Sequence, residues 1–235
     1  MSNVAIVVDS SVCIPRYIQE SSGMFVVPHI LITSGKEYRD GIDITAAQFY
    51  TSLERTGEIS TTSGPSPEAF LETFQMASRF VNRILCVTLS AAFSPMTYNS
   101  AQIAAKVMNE QNPNIEVTVV DSKAAAGAEG FIALEAARAA LNGQSLEEII
   151  CLINGMIPKV QLIAFLDTLY YFGKSGRIPM FKAWASALLG FKPIIELSHG
   201  TAKLISKPRS RIKAKEQLFT LLNQRVGNKP VHVNV

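Results

Sequence analysis

Residues 61–66 form a hydroxyl-rich segment that leads directly into an amphipathic helical pattern. Ser66 carries the kind of side chain that caps helix N-termini, and Pro67 is suited to a first helical turn. The unpaired amides at such a helix start, together with the positive end of the helix dipole, favour a bound carboxylate or phosphate. The segment therefore predicts an anion-binding site.

A second hydroxyl-bearing helix start follows the apolar residues 84–89. Here Ser94 precedes Pro95, and Thr97 lies within the first predicted turn. Two such starts in one small domain suggest a ligand with one acidic end. The alternative for each is ordinary helix capping, which is the usual role of Ser and Thr at a helix N-terminus.

The patterns typical of catalysis and of cofactor binding are incomplete. Gly173-Lys174-Ser175 resembles the end of a phosphate-binding loop, but Thr168 occupies the position of its first glycine. None of the three histidines lies in an HExxH or GxSxG context, and a structural role is favoured for His29. Because no convincing nucleophile–base pair is present, we expect no catalytic residue, no metal and no cofactor.

Composition excludes several classes of protein. The chain has 235 residues, a hydrophobic content of 48% and a formal charge of +3, which is too small to imply nucleic acid binding. Its longest apolar runs fall short of the roughly 20 residues needed to span a bilayer. The three cysteines are isolated, which argues against disulfides and against a zinc site. We expect a cytoplasmic protein without a transmembrane segment, making at most transient contact with a membrane surface.

Strand-like and helix-like segments alternate along the first two thirds of the chain. Strands are predicted at residues 4–8, 25–32, 84–89 and 115–120. Helices are predicted to begin at Thr45 and Ser145, each with a capping box, and at Ser66 and Ser94, with a further helix over residues 131–141. This alternation is typical of βαβ units in a largely parallel sheet flanked by helices. Because ligands bind at the carboxyl edge of such a sheet, four polar loops should meet there: residues 9–11, 61–66, 90–97 and 121–123.

The pattern changes near Pro158. We expect an N-terminal α/β domain over residues 1–157, containing the anion-binding loops, and a C-terminal α/β domain over residues 158–235. The second domain is predicted to contain a strand at 162–165 and a hairpin at 193–207. Helices are predicted at 183–189 and 210–224, with a last strand at 231–235.

These segments together resemble the DegV family of bacterial fatty-acid-binding proteins, the lipid-carrying subunits of fatty acid kinase. Each motif is weak alone, but their order from residue 4 to about 215 is specific. In chain order they are Val8-Asp9-Ser10-Ser11, Val27-Pro28, Tyr38-Arg39-Asp40, Ile42-Asp43-Ile44, Thr62-Ser63-Gly64-Pro65-Ser66, Leu89-Ser90 followed by Ser94, Val120-Asp121-Ser122-Lys123, Lys174-Ser175-Gly176-Arg177-Ile178, Lys192-Pro193-Ile194, Gly200 and Lys207-Pro208-Arg209.

The resemblance implies a two-domain α/β protein that buries one long-chain fatty acid between its domains. It implies that hydroxyls at Thr62 and Ser94 hold the carboxylate, with Ser63 assisting, and that the chain itself performs no chemistry. A separate, dihydroxyacetone-kinase-like subunit is expected to phosphorylate the presented acyl group for phospholipid synthesis. Arg177 and Arg209 are expected to face this partner.

The chain departs from the family pattern in two places. Ser94-Pro95-Met96-Thr97-Tyr98 is one residue longer than the family's Ser-Gly-Thr-Tyr and lacks its glycine. Family members also usually continue for several tens of residues past this end, and residues 158–235 lack the family's last segment. Either the chain is naturally short or it is incomplete.

Two alternative functions remain open. A hydrolase or a nucleotide-dependent transferase could use the same polar sheet edge, although the nucleophile–base pair and phosphate loop are missing. A regulatory or nucleic-acid-binding role would depend on the basic residues between 203 and 215 alone, and such a run is more often a solvated face.

Overall fold

A computed structural model describes residues 3–175, 188 and 190–233. The chain divides into two compact units, Met1–Val160 and Gln161–Val235, which are described in turn. The predicted helix at 183–189 lies outside the described residues, apart from residue 188.

The central sheet of the first unit is entirely parallel. It contains β1 (Val4–Asp9), β2 (Phe25–Val27), β6 (Arg83–Thr88) and β7 (Glu116–Asp121), in the order β2-β1-β6-β7. Almost every residue of β1 and β6 is buried, as expected for apolar strands covered on both faces. The predicted parallel α/β sheet is confirmed.

Six helices accompany this sheet: α1 (Arg16–Ser21), α2 (Ala46–Thr56), α3 (Pro67–Ala77), α4 (Pro95–Gln111), α5 (Gly127–Leu141) and α6 (Leu146–Met156). The predicted capping boxes of α2 and α6 are confirmed, because the Thr45 and Ser145 hydroxyls each accept the third helical amide. The Ser66 hydroxyl likewise accepts the Ala69 amide at the start of α3.

A second, antiparallel sheet in the first unit was not predicted. It contains β3 (Ile30–Thr33), β4 (Lys36–Arg39) and β5 (Thr61–Ser63), in the order β4-β3-β5. The single strand predicted at 25–32 is wrong, because it is interrupted at Pro28, which has no amide to donate to a ladder. The loop predicted at 61–63 is also wrong: pairing with β3 makes these polar residues a strand.

The first unit has a dense core between the parallel sheet and its helices. Phe70 and Phe74 on α3 are fully buried, with their ring centroids 6.0 Å apart. On the α5 side, small residues allow close packing, since a Cβ added to Gly130 would lie 2.6 Å from the Val12 carbonyl oxygen. All three cysteines of the chain are free, as predicted.

The second unit contains an antiparallel sheet and two described helices. The sheet order is β10-β9-β8, and the elements are β8 (Leu162–Phe165), α7 (Tyr170–Ser175), β9 (Ile194–Ser198), β10 (Thr201–Ser206) and α8 (Arg211–Val226). The predicted hairpin is confirmed, with His199 and Gly200 in its turn at φ values of 51° and 70°. The predicted last strand is wrong for residues 231–233, which are not part of a strand.

Within the described ranges, no helix combines the length and the apolar character needed to cross a bilayer.

Replacing Gly130 with even the smallest side chain should destabilise the protein. In Gly130→Ala the new Cβ would meet the Val12 carbonyl oxygen at 2.6 Å and the Ile14 Cγ1 at 2.9 Å. We expect the free energy of unfolding to fall by about 1–3 kcal/mol. Urea denaturation followed by circular dichroism measures this loss.

Gly155→Ala is the matched control, because Gly155 also lies in a helix but has no atom within 4 Å of an added Cβ. Alanine there should raise stability by about 0.5–1 kcal/mol. Equal effects of the two substitutions would show that Gly130 is not constrained by packing.

Candidate functional site

Two acidic side chains at the carboxyl ends of the parallel strands hold the loop that follows β6. Asp9 ends β1, and its Oδ2 accepts the amide of Leu89 at 2.7 Å. Asp121 ends β7, and its Oδ1 accepts the amide of Ala91 at 3.1 Å. The loop that follows β6 is therefore fixed from both sides by its neighbouring strands.

Ser90 sets the path of this loop towards α4. Its amide donates to the Ala124 carbonyl at 2.9 Å, and its own carbonyl accepts the amides of Phe93 and Ser94 at 2.9 and 3.0 Å. The Ser90 hydroxyl accepts the amide of Ala92 at 3.3 Å. These bonds close a tight turn, and the turn fixes the position of Ser94 at the N-terminus of α4.

The Ser94 hydroxyl does not cap α4, although Ser94 occupies the capping position. Its backbone φ and ψ are −142° and 82°, and its side chain accepts none of the helix amides. Instead its Oγ lies 2.8 Å from Oγ1 of Thr97, one turn into the helix. Ser94 is only 4% exposed and Thr97 is 0% exposed, so the two hydroxyls form a buried pair. The capping alternative therefore does not describe Ser94.

The end of β5 packs against this hydroxyl pair. A Cβ added to Gly64 would lie 2.7 Å from Oγ1 of Thr97 and 3.2 Å from its amide nitrogen. Ser63 is half-buried, and its hydroxyl contacts the Sδ of Met96 at 3.6 Å. The structure therefore brings Ser63, Ser94 and Thr97 to one place, with the exposed Thr62 beside Ser63 on the edge strand.

The groups at this place are neutral hydrogen-bond donors next to helix N-termini. α3 and α4 both begin with a proline, and the following amides point out of the helix without an intrahelical carbonyl. Hydroxyls and helix amides of this kind stabilise a negative charge. The partner of Ser94 is another hydroxyl rather than an imidazole or a carboxylate. Ser94 therefore has the surroundings of a ligand-binding side chain and not of an activated nucleophile.

A second polar cluster lies at the same sheet edge, around Asp9. The fully buried Asp9 Oδ1 accepts the Ser11 amide at 3.0 Å and the Ser11 hydroxyl at 2.6 Å, and lies 3.1 Å from His29 Nε2. Burial raises the pKa of Asp9, but the bonds from His29, Ser11 and Leu89 outweigh it and hold that pKa below its usual value. Asp9 is thus an anion that ties β1 to two loops.

Glu129 in the first turn of α5 has the opposite protonation behaviour. Burial and the nearby charge of Asp9 raise the pKa of Glu129 well above its ordinary value. The Ser11 Oγ lies 2.8 Å from Glu129 Oε2 and 2.6 Å from Asp9 Oδ1, yet a hydroxyl has a single proton to donate. A protonated Glu129 Oε2 that donates to Ser11, which donates to Asp9, makes both of these contacts hydrogen bonds, while Glu129 Oε1 is buried without a hydrogen-bond partner.

This second cluster lacks the arrangement of a hydrolase. The Ser11 hydroxyl binds carboxyl groups, and the Ser10 hydroxyl donates to Asp40 at 2.8 Å, so neither is bonded to the His29 ring. In the described part of the chain, no group of three or more His, Cys, Asp or Glu side chains is placed to hold a metal ion. The hydrogen bonds of the cluster hold together the loops at this sheet edge.

Comparison with known proteins agrees with this architecture. Residues 3–235 match the family described as "Uncharacterised protein, DegV family". The chain belongs to the DegV family.

Relatives and solved DegV structures cover almost the whole chain. A DegV domain-containing protein of Caldanaerobacter subterraneus subsp. tengcongensis is 35% identical over 91% of this chain and 74% of its own length. A structure of a DegV family protein from Thermus thermophilus, which concerns fatty acid binding, has a TM-score of 0.84 at 30% identity and covers 97% of this chain and 79% of that one. A stearic-acid-binding protein from Eubacterium ventriosum has a TM-score of 0.87 at 26% identity, covering 96% and 77%.

The predicted DegV site residues that the structure describes fall in two places, one in each unit. Thr62, Ser63 and Ser94 lie in the first unit, around the contact between β5 and α4. Arg209 lies in the second unit, exposed, with its guanidinium 5.1 Å from the ring centroid of Phe191. Arg177 lies outside the described residues. Sequence reasoning missed Thr97 as a partner of Ser94, although its spacing of one helical turn was the available signal.

The raised pKa of Glu129 predicts a pH-dependent stability difference for Glu129→Gln. The unfolded carboxyl ionises near its ordinary pKa of 4.5, whereas the folded one does so at much higher pH. The contribution of protonated Glu129 to the free energy of unfolding is therefore fully present below about pH 4.5, and it is lost as the pH rises towards the pKa of the folded state. The variant should gain stability relative to wild type between pH 5 and 8, by at most about 1.4 kcal/mol per pH unit. Denaturant titrations across this range measure the gain.

Glu147→Gln gives a control of opposite sign. Glu147 lies exposed in the first turn of α6, where a backbone hydrogen bond lowers its pKa. Removal of this carboxylate in Glu147→Gln should therefore lower the free energy of unfolding at neutral pH, relative to wild type. A flat pH profile for the difference between Glu129→Gln and wild type would contradict the protonated state of Glu129.

Proposed function

We propose that the protein binds one long-chain fatty acid and holds its carboxylate with the hydroxyls of Thr62, Ser63 and Ser94. The observation that carries this proposal is the buried Ser94 hydroxyl, which stands at a helix start without capping it. The fatty acid binding described for the Thermus thermophilus and Eubacterium ventriosum relatives supports the same ligand class.

Neutral donors are sufficient for a fatty acid head group. Hydrogen bonds from hydroxyls and amides to a carboxylate are charge-assisted, and they offset much of the desolvation that burial of the charge costs. The dipoles of α3 and α4 add to this stabilisation. The site therefore requires no cationic side chain to accept an acid.

The acyl tail provides most of the affinity. Each buried methylene contributes about 0.8 kcal/mol, so about ten methylenes contribute about 8 kcal/mol. By comparison, a hydrogen bond to a charged group contributes about 1.5–3 kcal/mol. Tail burial thus sets the strength of binding, whereas the hydroxyls set the preference for an acid and its orientation.

The protein acts as a non-catalytic carrier in the cytoplasm. It presents the carboxylate to a separate, dihydroxyacetone-kinase-like subunit, where a carboxylate oxygen attacks the γ-phosphorus of ATP and ADP leaves. The product is an acyl phosphate for phospholipid synthesis. The hydroxyl surroundings of Ser94 support this division, because they offer no general base for chemistry on the chain itself.

The purified protein should carry a long-chain fatty acid, and Ser94→Ala should weaken its binding. Loss of one bond to a carboxylate is expected to raise the dissociation constant roughly tenfold to a hundredfold. Mass spectrometry of the lipid released by denaturation identifies the ligand, and displacement of a fluorescent fatty acid measures the affinity.

Ser66→Ala is the matched control, because Ser66 is an exposed serine that does cap a helix. It should lower stability by about 0.5–2 kcal/mol and leave fatty acid affinity unchanged. The lipid proposal fails if repeated preparations release no fatty acid and bind none when it is added.

Arg209 is proposed to face the kinase together with Arg177. Its exposed guanidinium suits an acidic or phosphate-bearing partner. Arg209→Glu should reduce kinase-dependent acyl phosphate formation by about tenfold or more at low salt, while fatty acid affinity stays unchanged. Lys36→Glu, at the exposed start of β4, serves as a charge-matched control without this loss. Loss of lipid binding in Arg209→Glu would refute the assignment.

A further inference from the structure

We infer that Thr97 is a positioning residue for the fatty acid carboxylate and acts through Ser94. The Thr97 hydroxyl donates to Ser94 Oγ and so directs the Ser94 proton towards the ligand. This inference rests on the proposed fatty acid binding, because it assigns the group that prepares the same site.

The number of protons in the hydroxyl pair decides which side chain can reach a ligand. Ser94 and Thr97 have two hydroxyl protons between them, and one of these lies in their 2.8 Å contact. The hydroxyl that accepts this bond keeps its own proton for another partner. Only one member of the pair can therefore donate outwards.

Burial favours Thr97 as the donor within the pair. Thr97 has no exposed surface and is pressed against Gly64, where an added Cβ would lie only 2.7 Å from its Oγ1. A proton left over on Thr97 would be buried without a partner, which is costly. Ser94 retains a small exposed surface, so its proton is the one that can meet a carboxylate.

The same contact keeps Ser94 from becoming an ordinary cap. A serine at this position normally accepts the amide of the second or third helical residue, which here are Met96 and Thr97. With its Oγ already accepting the Thr97 hydroxyl, Ser94 is held away from these amides. Hydrogen bonds in series also strengthen one another, which makes Ser94 a better donor to an anion.

The test is the preference of the protein for an acid over the matching alcohol, measured with palmitic acid and cetyl alcohol on delipidated protein. A purely structural change would weaken both ligands alike, whereas loss of carboxylate positioning weakens only the acid. Thr97→Val should lower the acid-over-alcohol preference about threefold to tenfold. Thr97→Ser keeps the hydroxyl and should stay within about twofold of wild type.

Thr73→Val provides the control for loss of a buried threonine hydroxyl. Thr73 is 4% exposed, and its hydroxyl donates to the Ala69 carbonyl within α3. Its substitution should leave the preference unchanged. Equal changes in Thr73→Val and Thr97→Val would overturn the inference.

A double substitution tests whether Thr97 acts through Ser94. Adding Thr97→Val to Ser94→Ala should cause no further loss of preference, because the group that Thr97 positions is already gone. Additive losses would overturn the inference. Should Thr97→Val not fold, Gly64→Ala displaces the Thr97 hydroxyl without deleting it and should lower the preference in the same direction.

Failure of this inference can be distinguished from failure of the proposed function. If wild type prefers the acid and Ser94→Ala loses that preference while Thr97→Val keeps it, only the role of Thr97 is refuted. If wild type binds neither ligand, or shows no preference for the acid, fatty acid binding at this site is refuted as well.

Discussion

The buried carboxylate of Asp9 is the interaction on which the polar edge of the first unit depends. It stands at the end of β1 and receives hydrogen bonds from the Leu89 amide and from Ser11, with the His29 ring close by. Each bond ties a different segment to the central strand. Without this anion, the loop between β6 and α4 would lose one of the two carboxylate anchors that place Ser94 at the start of its helix.

Fixing a loop in this way allows the site itself to remain uncharged. The carboxyl groups of Asp9 and Asp121 are occupied by backbone amides, and Glu129 is kept neutral by burial. The face available to a ligand consists of hydroxyls and helix termini. Such a face orients a carboxylate without the strong, desolvated ion pair that an arginine would form. This weaker attachment is compatible with the proposed transfer of the ligand to a separate kinase subunit.

Local sequence signals predicted the parts of the fold that depend on local physics. The apolar runs of β1 and β6, the capping boxes at Thr45 and Ser145, and the cap at Ser66 all formed as predicted. The second sheet was missed because β5 is made of polar residues and exists only through its pairing with β3, which is far away in sequence. The pair of hydroxyls was missed for a related reason, because a serine before a helix predicts a cap. The turn at Ser90 and the close approach of Gly64, which the local sequence does not reveal, place the Ser94 hydroxyl next to Thr97 instead.

A crystal structure of the protein with its bound fatty acid would show whether Ser94 and Thr62 hold the carboxylate. We expect a carboxylate oxygen about 2.5–3.0 Å from Ser94 Oγ, with the Thr62 hydroxyl also within hydrogen-bonding reach. A carboxylate beyond hydrogen-bonding distance of both hydroxyls, with no water bridging them, would contradict this expectation.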